Sequence, residues 1–241
     1  NETGNVAFLG RDSTNQIGIY TDISGLNVVA DTNTLIPDNP IPDETDIFLS
    51  SIHPIINNNG NVAFRGILAL NDPPEQILFD TGIYTDVGGG LNKIVDINTT
   101  IPGNTETFEE VDAFPFLNDN GNVAFAGFLY DDFGFLIPEV EGIYTNIGGI
   151  NLIADTNTII PGEIDNFEGF DSPSFNNNET VAFLGYAAIN FDEPGIYYSN
   201  SEGILSLIAD RSTPIPSSTE TFFSFGTPIL NNYDEIVFAA S

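Results

Sequence analysis

The sequence predicts an all-β fold, a propeller-like array of four antiparallel four-stranded repeats with a period of about 58 residues. First, a ten-residue motif, seen most clearly in Asn57–Gly66, recurs five times along the chain. Second, the apolar residues show no helical period over any stretch of about 11 residues or more. Third, 23 glycines and 15 prolines are spread evenly, which is typical of many short strands joined by turns.

The recurring motif reads as a turn followed by a strand. Asn and Gly tolerate positive φ, so Asn57 to Gly60 predict a tight turn. The Val-Ala-Phe that follows predicts the second arm of a hairpin, whose first arm lies in Phe48–Ile56. The fourth and fifth copies carry Glu179 and Asp234 in the turn, so we expect a different turn geometry there.

The phenylalanine of the motif predicts a core layer, because it recurs at one place in each repeat. We expect Phe8, Phe64, Phe125 and Phe183 to be equivalent and buried.

Three further elements recur between the motifs, so each repeat offers four short strands, a to d. Strand b is the Val-Ala-Phe of the motif, strand c is Gly-Ile-Tyr, and strand d is an apolar run that ends in Asp. Strand a is a Phe and Pro segment just before the motif. The b–c connections vary most and predict loops over residues 9–17, 65–81, 126–141 and 184–194.

We expect a single repeat domain over residues 1–241. Its repeats span approximately 1–56, 57–117, 118–175 and 176–230, with a partial repeat at 231–241. The chain then has five b strands but only four of each other type. If four blades close into a ring, the terminal copies Asn5–Leu9 and Ile236–Ala240 compete for one position. The spare strand predicts either an open array or head-to-tail pairing with another molecule.

Composition excludes several classes of partner. The net charge is −31, from 35 acidic and 4 basic residues, so nucleic acid is excluded, because phosphate binding needs clustered Lys and Arg. We also expect no direct membrane insertion, because no apolar run of about 18 residues is present. Cysteine is absent, which excludes disulfides and thiolate metal sites. Methionine is absent even at position 1, and we expect a trimmed chain.

The Asn-x-x-Gly-x-Val-Ala-Phe unit resembles the bacterial NxxGxxAF tandem repeat of choice-of-anchor surface proteins. Asn57, Gly60, Ala63 and Phe64 match that pattern, and the copies at 1–8 and 118–125 match it too. The fourth and fifth copies depart from it at the Gly position, and Val237 replaces the Ala in the fifth. The resemblance implies an exported protein of the bacterial cell surface and supplies no catalytic residues.

An Asp-x-Asn/Ser-Thr sequence ends strand d of every repeat. The carboxylates of Asp31, Asp96, Asp155 and Asp210 are oxygen ligands of the kind that Ca²⁺ takes. The alternative is an Asx-type turn, in which each Asp accepts hydrogen bonds from nearby backbone amides. One carboxylate per repeat is few ligands for calcium, which favours the turn.

The b–c connections combine acidic and aromatic residues, a composition that suits sugars or cations. The candidate ligand-binding residues are Asp72, Asp80, Asp131, Asp132, Phe133 and Asp192. The alternative is a solvated loop whose aromatic rings pack on the scaffold. The absence of Trp weighs against sugar stacking.

The sequence predicts no catalytic residues and no certain cofactor. His53 is the sole histidine, and no motif supports a Ser-His-Asp triad or a glycosidase carboxylate pair. We therefore expect a non-enzymatic, exported structural or adhesive surface module that self-assembles through a terminal β-strand. The alternative is a Ca²⁺-assisted carbohydrate-binding module, whose partner is a surface glycan.

Overall fold

In the computed structural model, every regular element within the described residues is a β-strand, which confirms the all-β prediction. The structure describes residues 1–38, 48–72, 76–112, 114–130, 138–187 and 193–241. The chain separates into two compact units, Asn1–Val123 and Ala124–Ser241.

The first unit contains two antiparallel sheets and two short further strands. The first sheet has the order β1-β2-β3, and the second sheet has the order β4-β5-β6-β7. The strands are β1 Ala7–Arg11, β2 Ile17–Thr21, β3 Asn27–Asp31, β4 Phe48–Ile56, β5 Val62–Asp72, β6 Gln76–Thr85, β7 Asn92–Asp96, β8 Glu110–Val111 and β9 Phe116–Leu117.

The second unit begins within β10 and repeats the same plan. The third sheet contains β12-β11-β10, the fourth sheet has the order β13-β15-β16-β17 with β14 also paired to β15, and the last sheet is β18-β19. The strands are β10 Val123–Tyr130, β11 Pro138–Thr145, β12 Asn151–Asp155, β13 Gly169–Phe170, β14 Ser174–Phe175, β15 Val181–Tyr186, β16 Pro194–Ser199, β17 Leu205–Asp210, β18 Ile229–Leu230 and β19 Ile236–Val237.

The predicted hairpin of the second repeat is confirmed. Strand β4 occupies Phe48–Ile56 and pairs antiparallel with β5, so that Ile56 faces Val62 across the turn. The turn is closed by a hydrogen bond from the Gly60 amide to the Asn57 carbonyl at 3.1 Å. Gly60 has φ +83°, as a tight turn of this kind requires.

The expected change of turn geometry in the fourth and fifth copies is wrong. Glu179 has φ +63° and Asp234 has φ +59°, the left-handed conformation that glycine adopts in the other copies. The first Asn of each turn holds this conformation in place. The Oδ1 atom of Asn176 accepts hydrogen bonds from the amides of Asn178 and Thr180, both at 3.0 Å. These bonds offset a left-handed strain of about 1–2 kcal/mol.

The core forms where strand b is covered on both faces. Val62, Ala63 and Phe64 are all fully buried, although consecutive strand residues point to opposite faces. Strands β10 and β15 show the same continuous burial, and Phe125 and Phe183 are fully buried. This pattern belongs to a strand packed on both sides.

The predicted burial of Phe8 is wrong, since its side chain is 40% exposed. Strand β1 pairs only with β2, so the first sheet is three-stranded within the part of the chain that the structure describes. In the second sheet, β4 supplies Phe48 against Phe64, and the first sheet has no such strand.

Every c–d strand pair carries the same β-bulge, directly before the tyrosine of strand c. The register shifts at Ile19/Tyr20, Ile83/Tyr84, Ile143/Tyr144 and Ile196/Tyr197. The tyrosine ring lies back over the glycine two residues earlier; a Cβ on Gly195 would lie 2.8 Å from the Tyr197 hydroxyl oxygen. Gly-Ile-Tyr is thus a packing motif.

Two predicted loops are largely strand. The described residues of the loop expected over residues 126–141 lie in β10 and β11. The b–c connection of the second repeat, expected over residues 65–81, is a long hairpin in which β5 continues to Asp72 and β6 begins at Gln76.

Candidate functional site

The four repeated aspartates each close a turn at the end of strand d. In the third repeat, Asp155 Oδ1 accepts from the Asn157 amide at 3.0 Å and from the Thr158 hydroxyl at 2.7 Å. The Asp155 amide donates to the Thr158 hydroxyl oxygen at 3.0 Å. The same bonds form at Asp31, Asp96 and Asp210. This is the Asx-type turn, so one oxygen of each carboxylate is already used within its own turn.

The surroundings of these carboxylates differ between repeats. Asp96 is buried and forms an ion pair with Lys93 at 2.9 Å. Burial raises the pKa of Asp210, but hydrogen bonds from Ser212 and Thr213 outweigh it and hold that pKa below its ordinary value. Within the described ranges, no three His, Asp or Glu side chains form a group that could hold a metal ion. Calcium binding at these turns therefore needs further ligands and stays a prediction.

The structure describes two of the six candidate ligand-binding residues of the b–c connections. Asp72 ends β5 opposite Gln76, and Asp80 lies in β6 opposite Leu68. The other four candidates, Asp131, Asp132, Phe133 and Asp192, lie outside the described residues.

The side chains best suited to acid–base chemistry are engaged in packing. His53 is exposed, and its ring lies 4.1 Å from the ring of Phe114. Burial, with the negative charge of Asp171, raises the pKa of Tyr186 to about 12. Its phenol therefore stays protonated at neutral pH and donates to Asp171 Oδ2 at 3.4 Å.

Within each unit, asparagine side chains join the turns of successive repeats, in an arrangement that we call the turn ladder. In the first unit, the Asn1 side-chain amide donates to the Asn57 carbonyl at 2.8 Å. The Asn57 amide in turn donates to the Asn118 carbonyl at 2.9 Å. In the second unit, the Asn176 amide donates to the Asn231 carbonyl at 2.8 Å.

A second row of bonds runs beside the first. In three repeats the backbone amide of the residue after the leading Asn, which is Glu2, Asn58 or Asn177, donates to a side-chain oxygen of the next turn. Glu2 donates to Asn58 at 2.9 Å, and Asn58 donates to Asp119 at 2.7 Å. Each of these bonds points from an earlier repeat to a later one.

The turn ladder was not predicted from the sequence, although a signal for it is present there. All five copies begin with Asn, at positions 1, 57, 118, 176 and 231, whereas the Gly position varies. A turn alone accepts Asp or Ser at its first position. The Asn side chain accepts bonds within its own turn through its oxygen and donates to the next turn through its nitrogen, whereas an ionised Asp has no donor.

The first and last sheets expose apolar residues at places where the other sheets are covered. Directly before β1 of the first sheet, Val6 is 49% exposed, whereas the equivalent Val62 is fully buried. In the last sheet, Val237 is 69% exposed, whereas the equivalent Ala63 is fully buried. Exposed apolar surface beside an unpaired strand edge is typical of a protein-binding surface. These two sheets are the candidate functional surfaces of the chain.

Comparison with known proteins assigns the chain to a family whose function is unknown. The model of DUF7453, a family of unknown function, matches residues 1–241. No curated protein matches the chain. None of the described residues forms a helix that is long and apolar enough to cross a membrane.

Proposed function

We infer a function from the sequence and the geometry, because the chain belongs to DUF7453, a family of unknown function. We propose that the chain is a non-enzymatic structural or adhesive module of the bacterial cell surface, and that it self-associates through its terminal sheets.

The unequal burial of equivalent residues carries this proposal. Val6 and Phe8 are about half exposed, at 49% and 40%, while Val62 and Phe64 in the second repeat are fully buried. The sequence of each repeat is thus suited to being covered by a further strand and a further sheet. A second molecule supplies that cover when the single chain does not.

The proposed architecture is a propeller-like array. Each complete repeat has four antiparallel strands that neighbour one another in chain order, as β4-β5-β6-β7 do. Within each unit, the turn ladder gives successive repeats a fixed contact, which suits a stack or ring of repeats that touch only their neighbours.

The cell-surface location is supported by the repeat resemblance and by the composition. A net charge of −31 keeps an exposed protein soluble and repels nucleic acid. The same charge opposes contact between copies, so self-association should depend on ionic strength.

Sedimentation velocity of the chain tests the proposal. In about 1 M NaCl the Debye length falls to roughly 3 Å, which suppresses the repulsion between copies. We expect larger species to appear as the protein concentration rises. A chain that remains monomeric at every concentration and salt would contradict self-association.

The second candidate function is Ca²⁺-assisted binding of a surface glycan. It is favoured by the carboxylates of Asp31, Asp96, Asp155 and Asp210, which recur at one place in each repeat. Binding to a glycan array that is lost with a chelator and restored by CaCl₂ would support it.

A further inference from the structure

Three aromatic rings form a fixed group in each of two complete sheets. In the second sheet, Phe48 of strand a stands edge-on to Tyr84 at 4.9 Å and 88°, and contacts Phe64 at 5.8 Å. At the fourth sheet, Phe167 takes the same position, 4.8 Å and 86° from Tyr197 and 6.0 Å from Phe183. Phe48 and Phe167 are each 1% exposed. The strand-a phenylalanine is therefore a plug in a seat made by strands b and c.

The seat requires a glycine in strand b, two residues after its phenylalanine. A Cβ on Gly66 would lie 2.5 Å from the ring of Phe48, and one on Gly185 would lie 2.7 Å from the ring of Phe167. Such contacts are shorter than side-chain atoms tolerate. Any larger residue at this position closes the seat.

The first sheet carries the same seat without a plug. Phe8 and Tyr20 stack at 5.9 Å and 25°, close to the 5.9 Å and 23° of Phe183 and Tyr197. Gly10 occupies the glycine position. Across the described ranges, no third ring contacts this pair, and the outer edge of β1 has no partner strand. The seat is thus preformed beside an open strand edge.

The C-terminal segment, residues 221–241, carries a plug without a seat. The Phe222 amide donates to the Thr213 carbonyl, as the Phe167 amide does to Thr158, which makes the two phenylalanines equivalent. The strand beside Phe222 has Ala240 at the glycine position, where it bridges Phe225. Phe222 is consequently only half-buried, and its ring contacts Phe225 at 5.4 Å.

We propose that residues 221–230 of one copy detach from residues 236–241 of the same copy, with which they pair in the single chain. They pair instead with β1 of a second copy. Phe222 then fills the seat of Phe8, Gly10 and Tyr20. By equivalence with Phe170↔Gly185 and Ser174↔Ala182, Phe225 pairs with Gly10 and Ile229 pairs with Ala7. This inference rests on the self-association proposed above and specifies the surfaces that carry it.

The exchange is favoured because each side gains what it lacks. The plug gains a glycine and a tyrosine in place of Ala240, and the open edge of β1 gains backbone partners. The displaced strand is short, since β19 has only two residues, and its Val237 is already 69% exposed. Since each copy carries one plug and one seat, the contact is heterologous and continues from copy to copy.

Sedimentation velocity of the full chain, in about 1 M NaCl, tests the contact from both sides. We expect Phe222→Ala to weaken association by at least about tenfold, the scale of truncating a buried interface aromatic. The matched control is Phe223→Ala, because Phe223 is the next residue and is 68% exposed. That variant should associate as the unmodified chain does.

A mixing experiment separates loss of contact from loss of folding. Gly10→Ala fills the seat, because its Cβ would lie 2.9 Å from the Tyr20 ring, but it leaves the plug intact. Phe222→Ala leaves the seat intact. Each variant alone should stay monomeric, while an equimolar mixture should form one-to-one dimers and nothing larger. Two variants that remain monomeric when mixed would overturn the proposal.

Deletion of residues 236–241 distinguishes this contact from one made by the terminal strand itself. We expect the deletion to strengthen association, because it frees residues 221–230. Loss of association on deletion would show that the terminal strand makes the contact, and would overturn the inference. If Phe222→Ala associates normally, this inference fails and the proposed function stands. If the unmodified chain never associates, both fail.

Discussion

The side-chain amide of Asn57 donates to the main-chain carbonyl of Asn118 at 2.9 Å, across 61 residues of sequence. The other end of the same side chain closes its own turn, since Oδ1 accepts from the Asn59 and Asn61 amides at 3.0 and 2.9 Å. One buried amide thus shapes a turn and attaches it to the next repeat.

Asn57→Asp tests this dual role. The carboxylate keeps the acceptor for its own turn but replaces a donor with a charge facing the Asn118 carbonyl. Because Asn57 is 5% exposed, we expect a loss of about 1–3 kcal/mol in the free energy of unfolding by urea. Asn1→Asp is the matched control, because Asn1 makes the same bond at an exposed position. Equal losses of unfolding free energy in both variants would contradict the claim that burial strengthens the Asn57 bond.

Phe125→Ala tests the core layer of strand b. Phe125 is fully buried and stacks on Tyr144 at 5.6 Å, so truncation should cost about 3–5 kcal/mol and lower the melting temperature. Phe8→Ala removes the equivalent ring where it is 40% exposed, and should cost clearly less. If Phe125→Ala leaves the melting temperature unchanged, Phe125 is not part of the core.

Acid should weaken the fold through Asp210 and Asp234. Hydrogen bonds from Asn176, Thr180 and Asn178 lower the pKa of Asp234, and those from Ser212 and Thr213 lower the pKa of Asp210 despite its burial. A carboxyl whose pKa is lower in the folded chain contributes stability above its unfolded pKa of about 3.9. That contribution is lost as the pH falls through the folded pKa. Denaturant unfolding between about pH 5 and 2 should show this loss, and Asp210→Asn should reduce it.

Asp86 provides a control of opposite sign. Burial raises its pKa, although the Val62 amide donates to it at 2.7 Å. Its charge therefore opposes folding above the unfolded pKa, and protonation relieves that cost as the pH falls. We expect Asp86→Asn to steepen the acid-induced loss, whereas a shallower loss would contradict this assignment.

If the Asp turns bind Ca²⁺, divalent cations should raise the melting temperature. A ligand that binds only the folded chain stabilises it by mass action. With a net charge of −31, simple screening also stabilises, so the comparison is CaCl₂ against NaCl at matched ionic strength. Asp155→Asn should reduce the excess effect of calcium. Equal shifts in the two salts would exclude specific sites.

Local sequence patterns predicted the strands well, because each repeat contains its own turn and strand signals. The Asn-Gly turn and the apolar run before it placed the hairpin of Phe48–Ile56 with Val62 correctly. The exposure of the Phe8 side chain could not be predicted in this way, since its burial depends on a further strand that would pair with β1. The geometry at Glu179 also escaped prediction, because bonds to Asn176 override the residue's own preference. Contacts between repeats, unlike turns within them, leave little trace in a single copy.

The turn ladder also bears on how such a chain changes its length in evolution. Asn57 receives a bond from the turn of Asn1 and gives one to the turn of Asn118, at intervals of 56 and 61 residues, and Asn176 gives the same bond to the turn of Asn231 across 55 residues. A duplicated or deleted repeat therefore restores the same junction, whatever its loops contain. Unequal recombination between copies of the motif can lengthen or shorten the protein in whole repeats while each new junction remains bonded.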